Sequence, residues 1–131
     1  MRLIHNGNVI CLDTTAEDIN SLFERIGKTV FEVIILEDGR TNSYVQTICN
    51  KYEGLVEARI YNNDGYCQWR QECITGDENF DEYKQYLNTG LFTMQVPRKQ
   101  IANIATVKKI IKHFLLTETL DESYNWVEIL I

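Results

Sequence analysis

Between Leu55 and Ile74 the chain alternates apolar and polar residues on either side of Asn62-Asn63-Asp64-Gly65, and this run constrains the fold more than any other. Period-two alternation belongs to a strand with one buried face, and an Asn/Asp/Gly cluster between two such runs marks a hairpin turn. Charge then selects the register. With all four residues Asn62 to Gly65 in the loop, Tyr61 faces Tyr66, Glu57 faces Arg70 and Arg59 faces Gln68. A two-residue Asp64-Gly65 loop would instead oppose Glu57 to Glu72 and Arg59 to Arg70. Opposed like charges destabilise a strand pair, so the first register is expected. Either register leaves Val56, Ala58, Ile60, Cys67, Trp69 and Cys73 on one face, the expected core face.

The rest of the chain supplies further strands and a few helices. Leu3 to Leu12 predicts one or two short strands around Asn6-Gly7-Asn8. Thr14-Thr15 followed by Glu17 and Asp18 gives an N-cap and an approximate capping box. It opens a helix whose apolar stripe is Ile19, Leu22, Phe23 and Ile26 and whose stop is Gly27. The β-branched run Thr29 to Leu36 and the segment Ser43 to Tyr52 flank Glu37-Asp38-Gly39 and are expected to pair. After Ile74 a polar connection leads into a predicted short helix through Tyr83, Tyr86 and Leu87, closed by Asn88-Thr89-Gly90. Leu91 to Val96 reads as a strand and Trp126 to Ile131 as another. Between them Pro97 precedes a predicted helix of about Arg98 to Leu116, with Ile104, Val107, Ile111, Phe114 and Leu115 along one stripe. The expected fold class is α+β: a mostly antiparallel sheet of about six or seven strands with two or three helices packed on it.

Composition bounds the functional classes. The chain has 131 residues, of which 44% are hydrophobic and 24% charged, with one proline. A chain of this size buries roughly two thirds of its unfolded surface around one core, so residues 1–131 are expected to form a single ordered domain. The longest apolar runs, Val33 to Leu36 and Val127 to Ile131, are strand-sized, well short of the ~20 residues a membrane helix needs. Met1 to Gly7 is interrupted by His5, Asn6 and Gly7 before a signal-peptide core forms. The expected location is therefore cytoplasmic, without a membrane partner. Cys11, Cys49, Cys67 and Cys73 are widely spaced and form no C-x-x-C. That pattern points to reduced, mostly buried thiols rather than to a disulfide, a zinc site or a redox motif.

The sequence carries no nucleophile elbow, no H-E-x-x-H, no phosphate-cradling loop and no dinucleotide-binding glycine pattern. No catalytic residue, metal, cofactor or small-molecule substrate is expected. An enzyme with an unrecognised site stays open as an alternative, and it would need His5 or His113 to meet a carboxylate or thiol in a cleft. The net charge of −6 argues against a broad nucleic-acid footprint. Charge is also unevenly placed. Glu72, Asp77, Glu78, Asp81 and Glu82 fall in one segment without Lys or Arg, and Tyr83 and Tyr86 follow. These seven residues are the candidate partner-binding set, the acids attracting a basic protein and the tyrosines anchoring it. Arg98, Lys99, Lys108, Lys109 and Lys112 form the opposite segment. A small adaptor or nucleic-acid-binding module using this basic helix, residues 98–112, is the other alternative.

The order of segments also resembles a bacterial family. Ser43-Tyr44-Val45-Gln46, then Gly54-Leu55-Val56-Glu57-Ala58-Arg59, then Tyr66-Cys67-Gln68-Trp69-Arg70, then Ile111-Lys112-His113-Phe114-Leu115 and Asn125-Trp126 are similar in order and spacing to the first-numbered immunity-protein family of polymorphic and contact-dependent growth-inhibition toxin systems. The resemblance runs from about Phe31 to Trp126. It implies a bacterial cytoplasmic antitoxin that binds the C-terminal toxin domain of its cognate system, in many cases a nuclease, and blocks it; covering of the active site is the expected mode. It implies no catalysis and no cofactor. The Val56-Glu57-Ala58-Arg59 and Asn125-Trp126 matches fall on strands and read as scaffold.

Overall fold

Turn chemistry organises the sheet in the computed structural model, which describes residues 1–73 and 84–129. Strands β1 (Arg2–His5) and β2 (Asn8–Cys11) are joined by Asn6 and Gly7, whose φ angles are 47° and 84°. The type I′ turn, one of the two-residue hairpin turns whose twist matches the strands, requires positive φ at both positions, and Asn-Gly adopts it at least cost. Helix α1 (Ala16–Glu24) follows with the expected capping box: Thr15 Oγ1 accepts from the Asp18 amide at 3.2 Å, and Asp18 Oδ2 accepts from the Thr15 amide at 2.8 Å.

The chain then runs as a meander of β3 (Glu32–Glu37), β4 (Tyr44–Cys49), β5 (Glu53–Asn62) and β6 (Gly65–Glu72). After a separate hairpin of β7 (Lys84–Asn88) and β8 (Thr93–Pro97) come β9 (Ile101–Asn103), helix α2 (Ile104–Thr117) and β10 (Asn125–Ile129). The main sheet has eight strands in the order β10-β6-β5-β4-β3-β1-β2, with β9 paired to β5. Every pairing in both sheets is antiparallel. The fold is thus α+β, as expected.

The β5–β6 register is the one selected by charge: Glu57 opposes Arg70, Arg59 opposes Gln68 and Tyr61 opposes Tyr66. The loop is tighter than expected, because Asn62 and Gly65 also pair and only Asn63 and Asp64 remain outside the ladder. The Asp64 amide donates to Asn62 Oδ1 at 2.9 Å, and Gly65 takes φ 130°.

Two predicted helices are corrected. Residues 84–88 are strand β7, because Leu87 and Val96 point from the β7–β8 hairpin into a common apolar cluster while Tyr86 points out. The long helix starts at Ile104, not Arg98. Arg98–Gln100 is a 3-10 turn, and Ile101–Asn103 pairs with Glu53–Leu55, a stretch of β5 beyond the reach of β6. Asn103 then caps α2, its Oδ1 accepting from the Thr106 amide at 2.9 Å.

Alternation along the strands divides the sheet into two faces. The inner face, with Leu3, Ile34, Leu36, Val45, Val56 and Ala58, is covered by Ile19, Leu22 and Phe23 of α1 and by Val107, Ile110, Ile111 and Phe114 of α2. On the outer face the β7–β8 hairpin covers only one end, where Leu87, Val96 and Ile101 meet Phe31, Ile48 and Leu55. Trp69 and Trp126 pack half-buried at the margin of the inner core rather than within it, since β10 is an edge strand. The four cysteines are unpaired. Only Cys49 is fully buried, and burial pushes its thiol pKa up to about 12, whereas Cys11, Cys67 and Cys73 are half-buried, a correction to the expectation of mostly buried thiols. Among the described residues no helix is long and apolar enough to cross a membrane.

Candidate functional site

The part of the outer face that the β7–β8 hairpin leaves open is the most distinctive surface of the described residues. Strand register places Tyr44, Arg59 and Gln68 side by side on it, with Gln46, Glu57 and Arg70 in the next row. Next to the hairpin the face becomes apolar. Val33, Ile35, Leu91 and Phe92, with Asn6, Gly7 and Thr89, line a groove of about 460 Å³. Leu91 is 94% exposed and Phe92 half-exposed there, while Tyr86 on β7 is exposed and Val9 on β2 half-exposed.

Local chemistry shapes the hairpin end that carries Leu91 and Phe92. Thr89 Oγ1 donates to the Phe92 carbonyl at 3.1 Å, and the Gly90 amide donates to Asn88 Oδ1 at 2.9 Å. Gly90 has φ 88°, a conformation glycine adopts without a Cβ clash. With the turn's polar groups satisfied internally, Leu91 is held out in solvent. Groups of apolar side chains held outward in this way are a recurrent mark of protein-contact surfaces.

The partner-binding residues expected from sequence are only partly placed. Asp77, Glu78, Asp81, Glu82 and Tyr83 lie outside the described residues. Glu72 ends β6, where its Oε2 accepts from Gln100 Nε2 at 3.0 Å and lies 3.6 Å from Lys99 Nζ. Its charge is therefore engaged within the chain. Tyr86 is exposed, on a strand rather than on a short helix. The basic segment also divides: Arg98 pairs with Glu53 at 3.0 Å and Lys99 with Glu72, while Lys108, Lys109 and Lys112 remain on α2. The contiguous basic helix expected over 98–112 is therefore shortened by two cations at its start.

Each histidine finds a carboxylate. His5 Nε2 is 2.7 Å from Glu32 Oε1, while Glu32 Oε2 accepts from the Gly27 amide at 2.7 Å; His113 Nδ1 is 3.9 Å from Asp121 Oδ2. Glu32 thereby ties the β1 end to the chain leaving α1, and neither histidine lines the outer-face groove. Among the described residues, no group of three or more His, Cys, Asp or Glu side chains is placed to hold a metal ion.

The arrangement defines an α+β protein with an all-antiparallel main sheet, helices on one face and a partly open, apolar-edged second face. No protein-family model matches the chain, and no curated protein does.

Sequence reading missed the Leu91–Phe92 surface because it assigns Leu91 to Val96 whole to a strand. The Asn88-Thr89-Gly90 turn signal sat beside it. A hairpin tip extending through Phe92 was the reading that would have exposed both residues.

Proposed function

We propose that the protein is a cytoplasmic immunity protein that binds a cognate toxin domain and neutralises it by covering its active site. The observation carrying the reading is the open, apolar-edged outer face, where Leu91 and Phe92 stand exposed at a groove also lined by Val33 and Ile35. Such a surface favours a macromolecular partner, because buried apolar and aromatic area supplies most of the affinity in protein interfaces. The segment resemblance to an immunity family supports the same reading and supplies the kind of partner. The acidic residues Asp77, Glu78, Asp81 and Glu82 form a second candidate contact, suited to steering a basic toxin domain such as a nuclease.

The test begins with the gene beside this one. The C-terminal domain of a large secreted protein encoded there should arrest growth when expressed alone, and co-expression of this chain should restore growth. Replacing Leu91 and Phe92 together by Ser should weaken binding of the purified domain by tenfold or more, as expected for ~1.4 kcal/mol per decade, with the fold unchanged by circular dichroism. A toxic domain that this chain neither binds nor neutralises would refute the proposal.

A further inference from the structure

Among the described residues, Arg2, Arg59 and Arg70 are cationic side chains of the open outer face, and two of them are neutralised within the chain. Arg2 pairs with Glu37, and Arg70 Nε donates to Glu57 Oε1 at 2.9 Å. Arg59 lies between them in the strand order with no carboxylate in ion-pair distance among the described residues. Its neighbours are aromatic and neutral instead. The guanidinium carbon is 4.2 Å from the Tyr66 ring centroid and 5.7 Å from that of Tyr44, and Nε donates to Gln68 Oε1 at 2.8 Å. Tyr61 braces the arrangement, its ring centroid 5.3 Å from that of Tyr66 at a 52° tilt. A hydrogen bond with Tyr61, above all, raises the Arg59 pKa.

We propose that Arg59, set between Tyr44 and Tyr66, receives a carboxylate side chain of the partner protein. The inference rests on the reading that this face binds a protein, and it adds the chemistry the partner must bring. Ring stacking and the Gln68 bond orient the planar guanidinium fork in advance, so less side-chain entropy is lost when a carboxylate docks on its remaining N–H donors. Tyr66 is 45% exposed and contributes apolar contact area beside the charge. A polyanion is disfavoured on the same face: the chain carries a net charge of −6, and nucleic-acid binding draws on several unpaired cations rather than one.

The test titrates the full isotope-labelled chain at low salt with a tetraglutamate peptide, using oligothymidylate and tetralysine as comparison probes. Tetraglutamate should shift the Arg59 Nε–H resonance and the Tyr66 ring signals saturably. Arg59→Gln should weaken that binding about tenfold, the effect of one lost charge-assisted pair, and Arg59→Lys should weaken it less. Absence of a saturable response, an undiminished response in Arg59→Gln, or a response to oligothymidylate alone would each overturn the inference. With the toxin domain from the neighbouring gene, a complex that forms with wild type and is indifferent to Arg59→Gln and Tyr66→Ala overturns the carboxylate contact while the binding function stands. A domain that never binds wild type removes the binding function instead, and the peptide titration then decides the chemistry of Arg59.

Discussion

Single residues divide by how completely the two helices cover them. Phe114 is 0% exposed and faces the inner sheet from α2, so Phe114→Ala should cost about 3–5 kcal/mol, transfer free energy plus the cavity left behind. Trp69, opposite Ala58 on β6, is only half-buried and should cost clearly less when truncated. Urea denaturation of the two variants side by side checks the order; equal losses would mean that the Trp69 margin is packed as densely as the core. Phe114 was legible from helical periodicity and Trp69 from strand alternation. The difference between them was not, because alternation assigns a face and says nothing of how near that face lies to the sheet edge. Arg59 shows the same limit: charge placed it opposite Gln68, but that no carboxylate among the described residues reaches it follows from which strands lie beside β5.

Elements were legible where local chemistry and long-range pairing agree. The α1 capping box, the Asn6-Gly7 turn and the β5–β6 register are local or nearest-neighbour features, and the structure contains each of them. The helix predicted from Arg98 gave way to strand β9, whose ladder partner β5 lies far back in the chain, and the one predicted through Tyr86 gave way to β7, which pairs with the next strand β8 and packs Leu87 in a cluster with the distant Phe31, Ile48 and Leu55. One close approach holds β4 and β5 together. Gly54 opposes Cys49, and a Cβ at position 54 would lie 2.4 Å from the Cys49 Cβ and 3.0 Å from its Cα. Cys49 is buried and its backbone is fixed in the ladder, so nothing there gives way cheaply. Gly54→Ala should therefore destabilise the protein by about 1–3 kcal/mol, the usual cost of overpacking, measured as a lower urea midpoint at unchanged slope. A neutral result would place the β4–β5 pair further apart.

For the whole molecule, acid sensitivity follows from three carboxylates. Hydrogen bonds to Thr15 lower the pKa of Asp18, and those from Ser123 lower that of Asp121. Burial pushes Asp38 up, but its hydrogen bonds and ion pair with Arg40 outweigh this and leave it lowered. A carboxylate with a depressed folded-state pKa stabilises the fold above its unfolded value and loses that contribution as pH falls through the folded value. Thermal stability should accordingly be level with respect to these groups above their ordinary value of 3.8 and decline below it. Thr15→Ala, which removes a partner of Asp18, should shorten that decline and cost about 1 kcal/mol at neutral pH. A melting temperature that stays constant from pH 5 to pH 2 would contradict the assignment. By itself the sequence determined the α+β class, the β5–β6 register and the inner core face, because turn residues, alternation and opposed charges act between near neighbours. Tertiary structure decided the end of the sheet that the β7–β8 hairpin covers, the start of α2 and the open face around Arg59, because each depends on which distant strand completes a ladder or supplies a counter-charge.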